Sequence, residues 1–212
     1  LRNVLGSHVE QKGSDVNPDR LRFDFNSFDP LTAEQMQFIE DEVNRQILAN
    51  LPVVTDIMDV NAAKATGAMA FFGDKYGDVV RLVRMGDFSK ELCGGTHVHS
   101  TGEIGQLKLL SESGIGSGLR RVEALTGLAA LSYHRHQDEK LSQLASLLKT
   151  RPDNLEKRLE QILKENKTLQ KELEKIQAEK DKQNIDGLWE QAKEIKGVKF
   201  LAAEVKAADM PT

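Results

Sequence analysis

Apolar and charged residues alternate along Leu21–Phe25, in "LRFDF", which predicts a half-buried β-strand. Asp29-Pro30 then breaks the chain, and Thr32 opens "TAEQMQFIEDEVNRQILAN", where Met36, Ile39, Val43 and Ile47 recur at helical spacing. Thr32 with Gln35 three positions on fits a capping box, so the helix begins there. "LPVVTDIMDV" (51–60) and "DVVRLVRM" (78–85) predict strands on either side of a short helix in "NAAKATG" (61–67). "GQLKLLSES" (105–113) and "GLRRVEALTG" (118–127) predict a strand pair around the glycine-rich turn "GIGSG". Strands and helices mixed in this order make residues 1–127 an α+β domain.

After Gly127 the pattern changes. Residues 128–186 hold little turn chemistry except at "TRPDN", so one helix runs from Leu128 to about Lys149 and Pro152 opens the next. Leu155, Leu159, Ile162, Leu169, Leu173 and Ile176 step by four and three, with Asn166 in an expected apolar slot. This is a heptad seam with charged flanks, open to an antiparallel partner within the chain or to a dimer. A short helix "GLWEQAKEI" and a strand "VKFLAAEV" in residues 187–212 read as the start of a further domain. The chain lacks an initial Met and stops at "AADMPT", which suggests a piece of a longer protein.

The formal net charge of −4 argues against a protein that holds nucleic acid by bulk positive charge. Residues 1–130 carry 13 Lys/Arg against 18 Asp/Glu, and residues 131–187 carry 12 against 11. Any nucleic-acid contact in the first part must come from local clusters such as Arg120-Arg121. A single cysteine cannot form an internal disulfide, which suits a reducing cytoplasm. No apolar run approaches the roughly 20 residues that span a bilayer, so no membrane partner is expected.

The one cysteine lies in "KELCGGTHVHSTGEIG", where Cys93 and His97 have the spacing of half a zinc site. The same spacing also suits a small buried hydrophobe beside a polar loop residue, and that alternative is the commoner one. His99 falls on the side of His97 if the segment is extended, whereas His134 and His136 read as solvated helix residues. In "GSHVEQKGSDV", Gln11 and Ser14 sit near turn-forming glycines in a surface hairpin or loop. "GAMAFFGDKYGD" reads as a tight loop that packs Phe71, Phe72 and Tyr76, and "GIGSG" lacks the features of a phosphate loop.

Three segments taken together go further. "LRNVLGSHVEQKGSDVNPDRLRFDF", "GAMAFFGDKYGDVVRLVRMGDFSKELCGGTH" and "GIGSGLRRVEALTG" resemble, in order and spacing, the editing domain of alanyl-tRNA synthetases. That domain also occurs in free-standing alanyl-tRNA editing proteins and, more distantly, in threonyl-tRNA synthetase. The long helices and "GLWEQAKEIKGVKFLAAEV" look like the linker and first part of the synthetase's C-terminal domain, which favours the synthetase over a free-standing hydrolase.

The resemblance implies hydrolysis of the ester joining serine or glycine to the 3′ end of alanine tRNA. It implies zinc on a His-x-x-x-His pair and a Cys-x-x-x-His pair. Cys93 and His97 match the second pair; the first belongs to a helix ahead of "LRNVLG", so zinc held by this chain alone should be weak or absent. Gln11 matches a glutamine that lines the editing pocket and is assigned, with Thr96, a catalytic role. Gly94 and Gly95 would let backbone N–H groups approach the substrate, and Lys12, Arg120 and Arg121 would contact tRNA phosphate. Asp24 and Glu103 are the available bases and are read as structural. ATP and Mg²⁺ belong to the family's aminoacylation domain. A homodimer through the helical and C-terminal regions is expected, and a catalytically idle dimerisation or tRNA-binding module is the alternative.

Overall fold

The computed structural model describes residues 1–69, 77–189, 193–195 and 197–201. The expected packing of Phe71, Phe72 and Tyr76 lies outside these residues. The described chain divides into two units, residues 1–139 and 140–212.

The first unit is built from two antiparallel sheets, each covered by a helix. A short helix α1 (Arg2–Leu5) leads into β1 (Gln11–Val16) and β2 (Leu21–Asn26). The "GSHVEQKGSDV" segment forms the first strand of a β1–β2 hairpin, at the edge of its sheet, and so takes the hairpin of the two expected arrangements. Its turn is closed by Asn17, whose Oδ1 accepts from the N–H groups of Asp19 and Arg20, both at 3.0 Å. These strands join β6 (Leu107–Gly116) and β7 (Leu119–Thr126) in the order β1-β2-β7-β6. The first two glycines of "GIGSG" belong to β6, with a register shift between Gly114 and Gly116, so the turn itself is confined to Ser117-Gly118. Gly118 takes φ 68, where glycine carries no Cβ penalty.

Helix α2 (Ala33–Leu48) forms where the periodicity places it, and both halves of the Thr32–Gln35 capping box are present. Ile39 packs with Val9, Phe25, Leu31 and Val122, and Ile47 packs with Leu107 and Ala124. The apolar stripe of α2 therefore covers one face of the four-stranded sheet. On the opposite face of β2 the alternation expects an exposed Asp24, yet Asp24 is only 8% exposed. The cross-strand register sets Arg121 beside it, and the arginine fork supplies the partner that burial of a carboxylate requires.

The second sheet has the order β3-β4-β5, from β3 (Val53–Asp59), β4 (Val79–Met85) and β5 (Ser89–Leu92). Between β3 and β4 runs α3 (Val60–Ala65), capped by Asp59 Oδ1, which accepts from Asn61 and Ala62 N–H at 2.8 and 3.1 Å. Ala63 of this helix packs on Val80, Leu82 and Leu92. Strand β5 has no counterpart in the sequence reading. A 3₁₀ turn at Thr101–Ile104 and α4 (Gly127–Leu147) complete the order.

In the second unit α5 runs from Leu155 to Trp189 after a 3₁₀ turn at Pro152–Asn154. The expected separate helix "GLWEQAKEI" is not formed as such: α5 continues through its first residues, and Lys193–Ile195 is a strand β8 paired with β9 (Val198–Phe200). Among the described residues no helix is long and apolar enough to cross a membrane.

Candidate functional site

Strand β4 delivers Arg81 to the mouth of the "CGGTH" loop. Pairing of Leu82 with Leu92 brings the last residue of β5 to the strand, and Cys93 N–H then donates to the Arg81 carbonyl at 3.1 Å. The Arg81 side chain turns to the same loop, where Nη1 donates to the carbonyls of Gly94 and Gly95, each at 3.0 Å. One residue thus anchors three consecutive loop positions.

Within the loop, Cys93 and His97 approach a common space. A Cβ at Gly95 would stand 3.6 Å from Cys93 Sγ and 4.0 Å from His97 Cε1. His97 Nδ1 is buried and has no hydrogen-bond partner among the described residues. Burying such a nitrogen unpaired costs about 1–3 kcal/mol, a cost that a bound cation or ligand offsets. A thiol, an imidazole with an orphaned nitrogen and a glycine between them fit two positions of a tetrahedral metal site. No group of three or more His, Cys, Asp or Glu able to hold a metal occurs among the described residues. His99 does not join the pair: its ring is exposed, 3.7 Å from Glu103, and Glu103 Oε2 also accepts the His99 N–H at 3.0 Å. Thr96, Gly94 and Gly95 are exposed.

Gln11 approaches from β1, in a cleft that it shares with Glu91 of β5, two residues before Cys93. Gln11 lines this cleft of about 480 Å³ with Val9, Phe23, Met69, Phe88 and Glu91, between β1 and β5. That size suits a small ligand. Cys93, Thr96 and His97 are not among the lining residues. Gln11 Nε2 donates to Ser14 Oγ at 2.8 Å, which orients the amide.

The three cations expected at phosphate already have carboxylate partners. Lys12 bonds Glu10 at 2.8 Å. Arg120 bonds Glu112 through both Nε and Nη2. Arg121 forks onto Asp24 at 2.7 and 2.9 Å. The hydrogen bond from Arg121 holds the Asp24 carboxyl below the usual carboxylate range, against the opposing effect of burial, and the Arg121 guanidinium is raised in turn. Asp24 is therefore committed to the sheet and is unsuited to accept a proton. His134 is half-buried, 3.3 Å from Gln106 Nε2, while His136 is exposed.

Arg81 is the residue that sequence reasoning misses, since its link to the loop arises from strand pairing and leaves no spacing motif. The family model for the second additional domain of threonyl and alanyl tRNA synthetases matches residues 80–123, which include Arg81, Cys93, His97 and both hairpin arginines. The whole chain is also similar to alanine–tRNA ligases. It is 53% identical over 210 residues to alanine–tRNA ligase 1 of Lachnoclostridium phytofermentans, covering 99% of the chain. It is 51% identical over 212 residues to the ligases of Desulfitobacterium hafniense and Hydrogenovibrio crunogenus, covering all of it. By sequence the chain is similar over its whole length to one segment of alanine–tRNA ligases. It spans 24% of the length of these ligases. The second-additional-domain match falls on the part of the ligase sequence that holds the Cys93–His97 pair, and Gln11 and Lys12 lie outside it.

Proposed function

We propose that residues 1–127 are the editing module of an alanine–tRNA ligase and hydrolyse Ser-tRNA(Ala) and Gly-tRNA(Ala) in the cytoplasm. The observation that carries this reading is the approach of Cys93 and the orphaned His97 Nδ1 around Gly95, inside the segment matched to the synthetase domain. The ligase reaction, with ATP and Mg²⁺, is assigned to parts of the protein beyond these 212 residues.

The physical need for editing is plain. A synthetic site sized for alanine admits smaller glycine and discriminates only modestly against serine. A second site whose polar groups are satisfied only by the serine hydroxyl leaves them unpaired with alanine, and so discriminates far more strongly. Gln11, held by Ser14 in its cleft, is the group proposed for that hydroxyl. Water attacks the ester carbonyl, its electron pair forming the new C–O bond while the π pair moves to oxygen. Collapse of the tetrahedral intermediate then expels the ribose oxygen, which takes up the proton lost by water, and frees serine and tRNA. Cys93 and His97 would hold zinc together with further ligands, and zinc would polarise the ester or the water. The exposed "CGGTH" loop would offer its N–H groups and the Thr96 hydroxyl to that carbonyl.

Deacylation of Ser-tRNA(Ala) by the full-length ligase carrying this sequence tests the reading. Cys93→Ala and Gln11→Ala should each slow it at least tenfold while alanylation of tRNA(Ala) is retained. Unchanged deacylation in both variants refutes the site assignment.

A separate observation favours pairing through α5. Leu169 and Leu173 of the heptad seam are 63% and 72% exposed. With Leu159, Asn166 and Leu173 at a, the g positions Glu165, Glu172 and Glu179 face Gln170, Gln177 and Asn184 of a parallel copy. An antiparallel copy would set these glutamates against one another. A parallel homodimer also pairs Asn166 with its counterpart, the arrangement in which a buried a-position Asn is best satisfied.

A further inference from the structure

The Arg81 clamp has a consequence for the opposite face of the loop. No peptide bond among the described residues is cis, and in a trans peptide the C=O and the following N–H point in opposite directions. Arg81 Nη1 draws the carbonyls of Gly94 and Gly95 to one side, at 3.0 Å each. The N–H groups of Gly95 and Thr96, which belong to the same two peptide planes, are thereby turned to the side away from Arg81. Neither N–H has an acceptor among the described residues, and Gly94, Gly95 and Thr96 are all exposed. Two adjacent donors, unpaired among the described residues and on the side of the loop away from Arg81, offer a site for an oxygen that carries negative charge.

We infer that the Gly95 and Thr96 N–H groups are the oxyanion donors of this hydrolase, and that Arg81 is the positioning residue that aims them. The inference rests on the editing reading above and names the atoms that hold the carbonyl oxygen as it becomes tetrahedral. Arg81 itself touches no substrate. Its two N–H bonds are made before substrate arrives, so the donors need no reorganisation when charge develops. The absence of a side chain at Gly95 keeps the approach open.

Two experiments separate the inference from the reading beneath it. The first uses the ¹⁵N-labelled 212-residue chain and adenosine esterified with the phosphonate analogue of serine, whose P–O⁻ stands for the tetrahedral oxygen. The Gly95 and Thr96 amide protons should shift downfield on titration. The planar seryl-amide analogue should move them less. Arg81→Met keeps an unbranched apolar stem and the main-chain bond from Cys93 N–H, yet removes both carbonyl contacts. It should weaken phosphonate binding about tenfold or more and leave binding of the planar analogue nearly unchanged. Arg81→Lys, which keeps a cationic donor, should restore part of the difference. Amides unmoved by the phosphonate in the wild type, or equal phosphonate affinity in wild type and Arg81→Met, overturn the inference. The second experiment measures Ser-tRNA(Ala) deacylation by the full-length ligase. Arg81→Met should lower kcat with little change in KM. A wild-type ligase that does not deacylate refutes the editing reading, while the amide titration still decides the donor site.

Discussion

Leu82→Ala probes the core that carries the candidate loop. Leu82 is 1% exposed, on the central strand of the β3-β4-β5 sheet, directly opposite Leu92 and packed with Ala63 and Val80. Truncation removes three buried carbons and leaves a void that must be filled from a short helix and two edge strands. Ala63 has no atoms to extend into it. Leu→Ala at such sites costs about 2.7–5.0 kcal/mol, rising with the cavity that remains. At about 1.4 kcal/mol per factor of ten, amide hydrogen exchange in β4 should accelerate roughly 100- to 4,000-fold. The assay is native-state exchange by NMR, reading β4 amides beside those of β2 and β7. The Cys93 N–H, bonded to Arg81, should accelerate with β4, because the loop begins where Leu82 and Leu92 pair. Leu82→Met, which conserves volume, should cost less than about 1.5 kcal/mol. Acceleration below about fivefold for Leu82→Ala, equivalent to less than 1 kcal/mol, refutes the view that this small sheet is held by its own apolar core.

Two further predictions concern charge and pairing. Arg121→Met should lower the thermal midpoint of the chain most near neutral pH. Asp24 titrates below its ordinary value of 3.8 in the folded chain, so the pair's contribution is present above that value and is lost as pH falls through the folded one. The loss should shrink progressively below about pH 4, and a loss constant from neutral to strongly acid pH refutes the account. In sedimentation equilibrium the 212-residue chain should associate to a dimer, and Leu169→Glu with Leu173→Glu should abolish it. A wild-type monomer at every concentration tested rejects the α5 pairing.

The elements readable in advance are those whose determinants are local. Thr32 and Gln35 set the start of α2 within four residues, and the stripe from Met36 to Ile47 sets its buried face. The β6–β7 pair follows from two alternating runs about a glycine turn. What escaped is fixed by pairing with a neighbouring strand and not by a pattern within the segment. Strand β1 is polar along most of its length and gains its place by pairing with β2, so periodicity is silent there. The "GLWEQAKEI" segment is divided between the end of α5 and the Lys193–Ile195 strand, which depends on Val198–Phe200 opposite.

The same distinction governs the candidate site. Arg120-Arg121 reads as a basic cluster along the chain, but strand pairing puts Glu112 and Asp24 beside the two guanidiniums, and their local positive charge is largely cancelled. Cys93 and His97 are four residues apart, close enough for spacing to suggest that they meet. Their geometry nevertheless depends on Arg81, twelve residues before Cys93, which reaches the loop only because β4 and β5 pair in one register. A slip of that register by one residue would exchange the faces that Leu82 and Arg81 occupy and release both loop carbonyls. The apolar contact of Leu82 with Leu92 is therefore also what aims the Gly95 and Thr96 amides. Loosening that contact should disturb the loop before it unfolds the four-stranded sheet.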